Sequence, residues 1–514
     1  MRHTTLIPLT LLVLLLAACQ AVTPPRLATA TARAAETPTP TPEPVVLPAP
    51  TPTLAADSAQ PPDTPIQTDP NPSITVWVNE TSDEHEAILQ EMTDAFTAQS
   101  QIDVEMVLVS PQLLPELVNT AVLSDTLPDV ILHPFEYSDG WAERGILDPA
   151  AADAAIDQIG RDTFDQDALD LVELNGQTAV IPSDGAYQLI LYRTDWFAEQ
   201  NLAPPDNYDA MFTAAEATTD RENLRSGFVI PTESNLVTTQ FAFEQIAQAN
   251  GCDLIDAKGE VTIQSAACAE ALDFYFRIVN QFSPIGVQTD TSARNAYLNG
   301  RTGLIITSPD ILPMLAGLDP DHLPDCPECK TDPGYLLENT GILTQLTGSG
   351  PQATPAGLGS IRTLGITSVA DTETAIAFAD YWFNEGYPLW LSVEPERKVP
   401  MRLGTAENPG QFTDAWAKTP LGQNQPGLAD LLTAGTVAQL AAGIAQTPRW
   451  GFEQGQGSLI AQVLEELIFP VVLQEMLSGY FPANQTIIEL YDRVTELIPN
   501  YAYYPEPTAE PEDN

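Results

Sequence analysis

Residues 74–79 read ITVWVN, 83–100 DEHEAILQEMTDAFTAQS, 102–109 IDVEMVLV, 111–126 PQLLPELVNTAVLSDT and 128–133 PDVILH. The first is β-branched and apolar, the pattern of a buried strand. In the second, Ile88, Leu89, Met92 and Phe96 fall on one helical stripe, and acids gather near its start, where the helix dipole favours them. The third stretch reads as a strand, the fourth as a helix and the fifth as a short buried strand. The order βαβαβ implies a parallel sheet with helices on its faces, so the expected class is α/β.

The same alternation continues along the chain. QTAVIP (177–182), LILYR (189–193), TGLIITS (302–308) and LGITSV (364–369) are strand-like. ETAIAFADYWFNEG (373–386), SLIAQVLEELIFPVVLQEMLSG (458–479) and NQTIIELYDRVTEL (484–497) are helix-like. The body, from Ser73 to about Tyr504, holds about 430 residues, enough for two lobes of ordinary domain size.

The two ends differ from this body in composition. Arg2 and His3 precede LIPLTLLVLLLAA, an apolar segment of signal-peptide type that is shorter than the roughly 20 residues a membrane span needs. Leu16-Ala17-Ala18-Cys19 resembles the bacterial lipobox. That resemblance implies a signal peptide over 1–18 and a lipidated Cys19 carrying palmitate-type chains, a membrane anchor on the extracytoplasmic face. Residues 19–72 are rich in Thr-Pro, which removes backbone donors and fixes φ, so an extended spacer is expected. The C-terminal residues 501–514 are expected to fray.

The chain has 514 residues, 70 acids against 20 Lys and Arg, and a net charge of −50. Such an excess repels phosphate backbones, so no nucleic-acid partner is expected. Outside the cytoplasm cysteines oxidise in pairs, and sequence neighbours are the simplest pairing: Cys252–Cys268 and Cys326–Cys329. A zinc site using CPEC (326–329) with His322 is the alternative, but it lacks a second ligand pair at familiar spacing. A thioredoxin-like role for CPEC lacks a strand-then-helix context. No metal and no cofactor is expected.

Several phrases in order resemble extracellular solute-binding proteins of family 1, the lipoprotein receptors of ABC importers. They are PDVILHPFEYSDGWAERGILDP (128–149), NGQTAVIPSDGAYQLILYRTDWFAEQNLAPPDNYDAMFTAAEA (175–217), FAFEQIAQANG (241–251), NAYLNGRTGLIITSPDIL (295–312) and GLGSIRTLGITSVADTETAIAFADYWFNEG (357–386). Arg193 stands where the family usually has Asn, and Asp310 where maltose-type relatives have an aromatic residue. The resemblance implies a two-lobed periplasmic-binding-protein-like fold of type II, with a hinge and an interlobe cleft. Lobe one is then 73–182 and 358–398, and lobe two 187–350 and 399–500. It also implies a sugar or polyol captured in the cleft and delivered to ABC permease subunits by a monomeric receptor.

Candidate ligand contacts follow from strand ends and from the family pattern. Glu80 and Thr81 follow the first strand, although Thr81 or Ser82 also suits a helix N-cap. His133 and Phe135 follow the third strand. Asp184 and Tyr187 lie at the crossover, Asp310 replaces a stacking aromatic, and Trp450 falls near a second stacking position. Aromatic faces with planar polar groups suit vicinal hydroxyls. The same acids also suit a polyamine or another cation. A sensory binding lipoprotein and a secreted glycoside hydrolase are the remaining rivals. The chain has no GxSxG elbow, and HEAIL (85–89) lacks the second histidine of a zinc protease, so no enzyme is expected.

Overall fold

The computed structural model describes residues 71–499 and 501. Cys19, the signal segment, nearly all of the expected tether and residues 502–514 lie outside them. Among the described residues the strands are β1 (Ser73–Val78), β2 (Asp103–Leu108), β3 (Val130–Pro134), β4 (Glu173–Leu174), β5 (Gln177–Thr178), β6 (Ile181–Tyr187), β7 (Leu189–Arg193), β8 (Ser226–Val229), β9 (Thr302–Thr307), β10 (Thr340–Leu343), β11 (Gly359–Ile366) and β12 (Val399–Pro400). Six form one sheet in the order β12-β6-β11-β3-β1-β2, and four form another in the order β10-β7-β9-β8. β1 pairs in parallel with both β2 and β3, as the βαβαβ reading requires. β11 runs antiparallel between β3 and β6.

β3 and β6 are buried along nearly their whole length and so on both faces of the six-stranded sheet, because successive side chains of a strand point to opposite sides. Val130 and Leu132 join one apolar cluster with Leu89, Phe96, Phe378 and Trp382 from the helices Asp83–Ser100 and Thr372–Phe383. Ile131, between them, faces a second cluster that runs on through Trp141 into the four-stranded sheet and its helices. The chain passes from one sheet to the other at Gln188, between β6 and β7, and again between β10 and β11. β12 adds to the six-stranded sheet beside β6, although residues 399–500 were expected in the other lobe.

Three local readings change. The single helix read over 458–479 is two, Gly457–Glu465 and Ile468–Leu477, bent by 53°. Leu467 takes a left-handed φ of 51°, and Pro470 lacks the N–H that a continuous helix needs. Among the described residues no single helix is long and apolar enough to cross a membrane. β11 begins at Gly359, ahead of the apolar run from Leu364, because pairing with β6 extends it. Tyr501, read as the start of a frayed tail, is docked: its hydroxyl accepts the Val261 N–H at 3.0 Å. Both expected disulfides are present, with S–S separations of 2.08 Å for Cys252–Cys268 and 2.00 Å for Cys326–Cys329.

Where β8 meets the helix Tyr208–Thr218, only a glycine fits. A Cβ on Gly227 would sit 1.8 Å from the Ala215 carbonyl oxygen, well inside contact distance. Gly227→Ala is expected to destabilise the fold by about 1–3 kcal/mol through forced backbone displacement. Urea unfolding measures this, and a midpoint equal to that of the parent would show that the helix yields freely.

Candidate ligand-binding site

The parallel strands β1 and β3 end at Val78 and Pro134, and antiparallel β11 brings its first residues to the same edge. Polar side chains gather there in two groups.

The first centres on Glu80, just past β1. It is 5 % exposed, and its Oε1 accepts from Arg362 Nη2 at 2.5 Å and from Arg397 Nη2 at 3.4 Å. Burial opposes its ionisation, but Arg362, Arg397, His85 and Lys398 outweigh that and hold the carboxyl down at about 2. Arg362 Nη1 lies 3.5 Å from Asp184 Oδ1. Asp184 Oδ2 accepts from Ser183 Oγ and from Trp390 Nε1, each at 2.7 Å. Lys398 Nζ, fully buried, donates to the Trp390 carbonyl at 2.9 Å, lies 2.9 Å from His85 Nε2 and sits 3.6 Å from the Trp390 ring centre. Burial, with Arg362 beside it, lowers Lys398 to about 7; burial and the Lys398 charge push His85 to about 3, so the imidazole is neutral. Glu80, His85 and Glu394 bring ligand atoms within 4.8 Å of one another. Lys398 Nζ occupies the space at the imidazole Nε2 and two arginines bond Glu80 Oε1, so this cation-flanked donor set does not suit a metal ion.

The second group joins the two sheets. Glu136, two residues past β3 and fully buried, accepts from Arg449 Nη1 at 2.6 Å. The same Nη1 donates to the Gly359 carbonyl of β11 at 2.9 Å, and Arg449 Nε donates to Glu244 Oε1 at 3.0 Å. Glu244 lies on the helix Val237–Ala249, which follows β8. The guanidinium carbon of Arg449 is 5.2 Å from the ring centres of both Phe135 and Phe241. Burial raises the Glu136 carboxyl despite the Arg449 charge. Gln240, one turn before Glu244 and on the same helix face, is also fully buried. Glu136 Oε2, Glu244 Oε2, Arg449 Nη2 and both amide atoms of Gln240 are buried without a hydrogen-bond partner among the described residues. Arg362 Nη1 and Asn79 Oδ1 are in the same condition. Orphaned polar atoms at this density are rare in folded proteins and call for a ligand or water to satisfy them.

The sequence candidates divide accordingly. Glu80 and Asp184 belong to the first group, and Phe135 lines the second. Asp310 accepts from Arg294 Nη1 and Ser308 Oγ, and its charge reaches Arg397 and Glu396 of the first group without a hydrogen bond to it. Thr81 is exposed, and the N-cap of Asp83–Ser100 is Ser82. His133 is fully buried, with its ring 4.8 Å from Trp141 and Nδ1 at 2.9 Å from the Pro134 carbonyl; burial lowers it to about 4, so it is a neutral packing residue. The Tyr187 hydroxyl is spent on the Ala442 carbonyl at 2.7 Å. Trp450 offers no open face: it is 1 % exposed, packs on Phe243 and Phe469, and donates Nε1 to the Cys252 carbonyl. Its neighbour Arg449 is the polar contributor there. Sequence reading missed Glu136, Gln240, Glu244, Arg362, Arg397 and Arg449.

The model of the family described as bacterial extracellular solute-binding protein matches residues 91–389. The chain belongs to that family. A putative ABC transporter periplasmic-binding protein of Escherichia coli K12, YcjN, is 26 % identical over 246 residues, 47 % of this chain and 57 % of that protein. The chain thus spans little more than half the length of this curated relative. Among solved structures, a Thermotoga lettingae ABC transporter solute-binding protein bound with α-D-tagatose is similar with a TM-score of 0.64 and 17 % identity, covering 83 % of this chain and 99 % of that one. A sugar transporter of Arthrobacter chlorophenolicus with bound laminaribiose gives 0.64 at 13 % identity over 83 % and 99 %. Maltose-bound MalE3 of Thermotoga maritima gives 0.59 at 17 % over 83 % and 100 %. These likenesses show the fold, the two-lobed α/β architecture of periplasmic binding proteins.

The Glu80 ion cluster has a pH signature. Its folded carboxyl, at about 2, lies below the ordinary value of about 4.3. The stabilisation it brings is complete above the unfolded value and is lost as pH falls through the folded one, on the order of 3 kcal/mol in all. Glu80→Gln is expected to flatten the fall in unfolding free energy between about pH 4.5 and 2. A variant with an unchanged slope would show that other carboxylates carry the acid sensitivity.

Proposed function

We propose that this chain is the extracytoplasmic receptor of an ABC importer, closing two lobes over a neutral polyhydroxylated solute, a carbohydrate or polyol, and releasing it unchanged to permease subunits. Lobe one is 73–182 and 358–398, and lobe two is 187–350 and 399–500, with β12 paired to the first-lobe sheet. The chain is held by lipid at Cys19, acts as a monomer and performs no catalysis. YcjN is described as a periplasmic-binding protein of an ABC transporter, and the solved relatives hold tagatose, laminaribiose and maltose.

The observation that carries the reading is the set of orphaned atoms on Glu136, Gln240, Glu244 and Arg449. It mixes acceptors with donors, and a hydroxyl, which both donates and accepts, answers to both kinds. Phe135 and Phe241 supply apolar faces beside them. The rival cationic solute fits less well. Glu80, Asp310, Glu136 and Glu244 are each already bonded to an arginine, and Asp184 lies beside Arg362 and takes the Trp390 and Ser183 donors. Arg449 itself occupies the space over the two phenyl rings that a cation would seek.

A thermal-shift screen of the full chain against sugars, polyols and polyamines tests this. A sugar or polyol at 100 times its Kd should add about 2.7 kcal/mol of apparent stability. Gln240→Ala, which removes two polar atoms from the site, should weaken that ligand about 10- to 100-fold. Stabilisation by polyamines alone would overturn the neutral-solute reading, and sustained release of a chemically altered sugar would overturn the receptor reading.

A further inference from the structure

Three features lie outside the cleft and have no part in the reading above: the CPEC sequence at 326–329, the arginine at 193 in place of the family's usual Asn, and the glycine at 300. The structure brings them together. Arg193 ends β7 and is 1 % exposed. Its Nε and Nη2 form a bidentate pair with Asp195 at 2.8 and 2.5 Å. Its Nη1 is buried with no hydrogen-bond partner among the described residues. Gly300 has a φ of +63°, and a Cβ built on it would lie 2.9 Å from Cys326 Cβ and 3.5 Å from Arg193 Nη1. The bare glycine therefore lies between the unpaired guanidinium nitrogen and the Cys326 side chain, and no hydrogen bond joins that nitrogen to Cys326 Sγ while the bridge is oxidised. From the other side the Cys329 N–H donates to Cys326 Sγ at 3.0 Å.

We propose that Cys326–Cys329 is a redox-active disulfide, reducible by an external dithiol, with Cys326 as the leaving thiolate held by Arg193 and the Cys329 amide. One thiolate of the dithiol attacks Cys329 Sγ, forming a mixed disulfide and breaking the internal bond, and the electron pair of that bond stays on Cys326. The second thiol of the reagent then closes its own disulfide and releases Cys329. The balance is two electrons from the dithiol, which becomes a disulfide, leaving a Cys326 thiolate, a Cys329 thiol and one proton in solution. Thiol–disulfide exchange runs faster and further when the leaving sulfur is a stabilised anion. Pro327, Glu328 and Lys330, on either side of Cys329, are exposed, so the attacked sulfur lies just under an irregular surface loop.

The second disulfide is an internal control. Cys268 Sγ lies 3.6 Å from the Asp253 carbonyl and 3.8 Å from the Thr262 carbonyl, oxygens that repel a thiolate. That bridge also spans 16 residues of sequence against 3, so it constrains the unfolded chain more. The acids acting on Arg193 are Asp195, which uses the other two nitrogens, and Glu328, whose charge opposes a Cys326 anion.

The test equilibrates the oxidised full chain with graded ratios of reduced and oxidised dithiothreitol, then alkylates and maps the labelled cysteines by mass. Cys326 and Cys329 are expected to open at a ratio at least tenfold less reducing than Cys252 and Cys268, a gap of about 30 mV. Thiolate absorbance against pH, taken as the difference between Cys329→Ser and the double variant Cys326→Ser/Cys329→Ser, should place the Cys326 midpoint more than one unit below about 8.5. Arg193→Met should raise that midpoint, and exposed Glu328→Gln, which leaves the core untouched, should lower it further. Opening of both bridges together, or a Cys326 midpoint at or above about 8.5, would overturn the proposal.

Discussion

Burial of carboxylates against a small supply of arginine and lysine governs this molecule. With 70 acids and 20 Lys and Arg, cations are scarce, yet Arg193, Lys398, Arg402 and Arg449 are all buried. Taking a charge from water costs several kcal/mol unless a partner and further hydrogen bonds offset it. Arg402 meets that cost with the Thr163 hydroxyl and with carbonyls of Phe383 and Ile159, tying helix ends to the segment after β12. Arg449 meets it with two carboxylates from different parts of the fold. Four of the cations are thus spent on pairing inside the fold.

Compensation around Arg449 is incomplete. Glu136, Glu244 and Arg449 each bond through one edge and keep another atom unsatisfied. In a low-dielectric interior such half-used groups are expensive, and the same condition strengthens any hydrogen bond a ligand makes to them. The phenyl rings of Phe135 and Phe241 hold the Arg449 guanidinium in place, so little ordering remains to be done on binding. The Glu80 group differs. Its carboxylate and its neighbours are bonded mostly to one another, and Lys398 rests on the Trp390 ring, so it behaves as a rigid floor.

The fold was legible because its signals are local and repeated. Strand–helix alternation from Ile74 to His133 survives intact, since each element is an uninterrupted apolar run or stripe. The C-terminal helix failed as a single reading because Leu467 and Pro470 sit within an otherwise strong apolar pattern, and hydropathy does not register φ. Site residues were half legible. Strand ends pointed to Glu80 and Asp184, but Glu136 lies one residue beyond Phe135, and Gln240 and Glu244 read as ordinary polar positions on a helix. Arg449 carried the most usable clue, a basic residue just ahead of Trp450 and Phe452 in a chain with 70 acids and only 20 Lys and Arg. The aromatic beside it drew attention instead, because tryptophan is the familiar stacking residue.

Arg449 and Trp450 divide between the two sheets. The arginine makes two of its three hydrogen bonds, to Glu136 and the Gly359 carbonyl, with residues at the edge of the six-stranded sheet. The tryptophan ring packs on Phe243 of the helix Val237–Ala249 and on Phe469, and its backbone N–H donates to Glu244. Adjacent residues thus reach both sheets, and the bond between Arg449 Nε and Glu244 Oε1 links them. The same Glu244 oxygen also accepts the Trp450 N–H and the Gln248 amide, each at 3.1 Å, so it is held from its own side as well. The two sheets are therefore joined by an ionic brace that needs no ligand. On the proposed reading, a solute shifts the balance between closed and open forms by no more than its preference for the closed one.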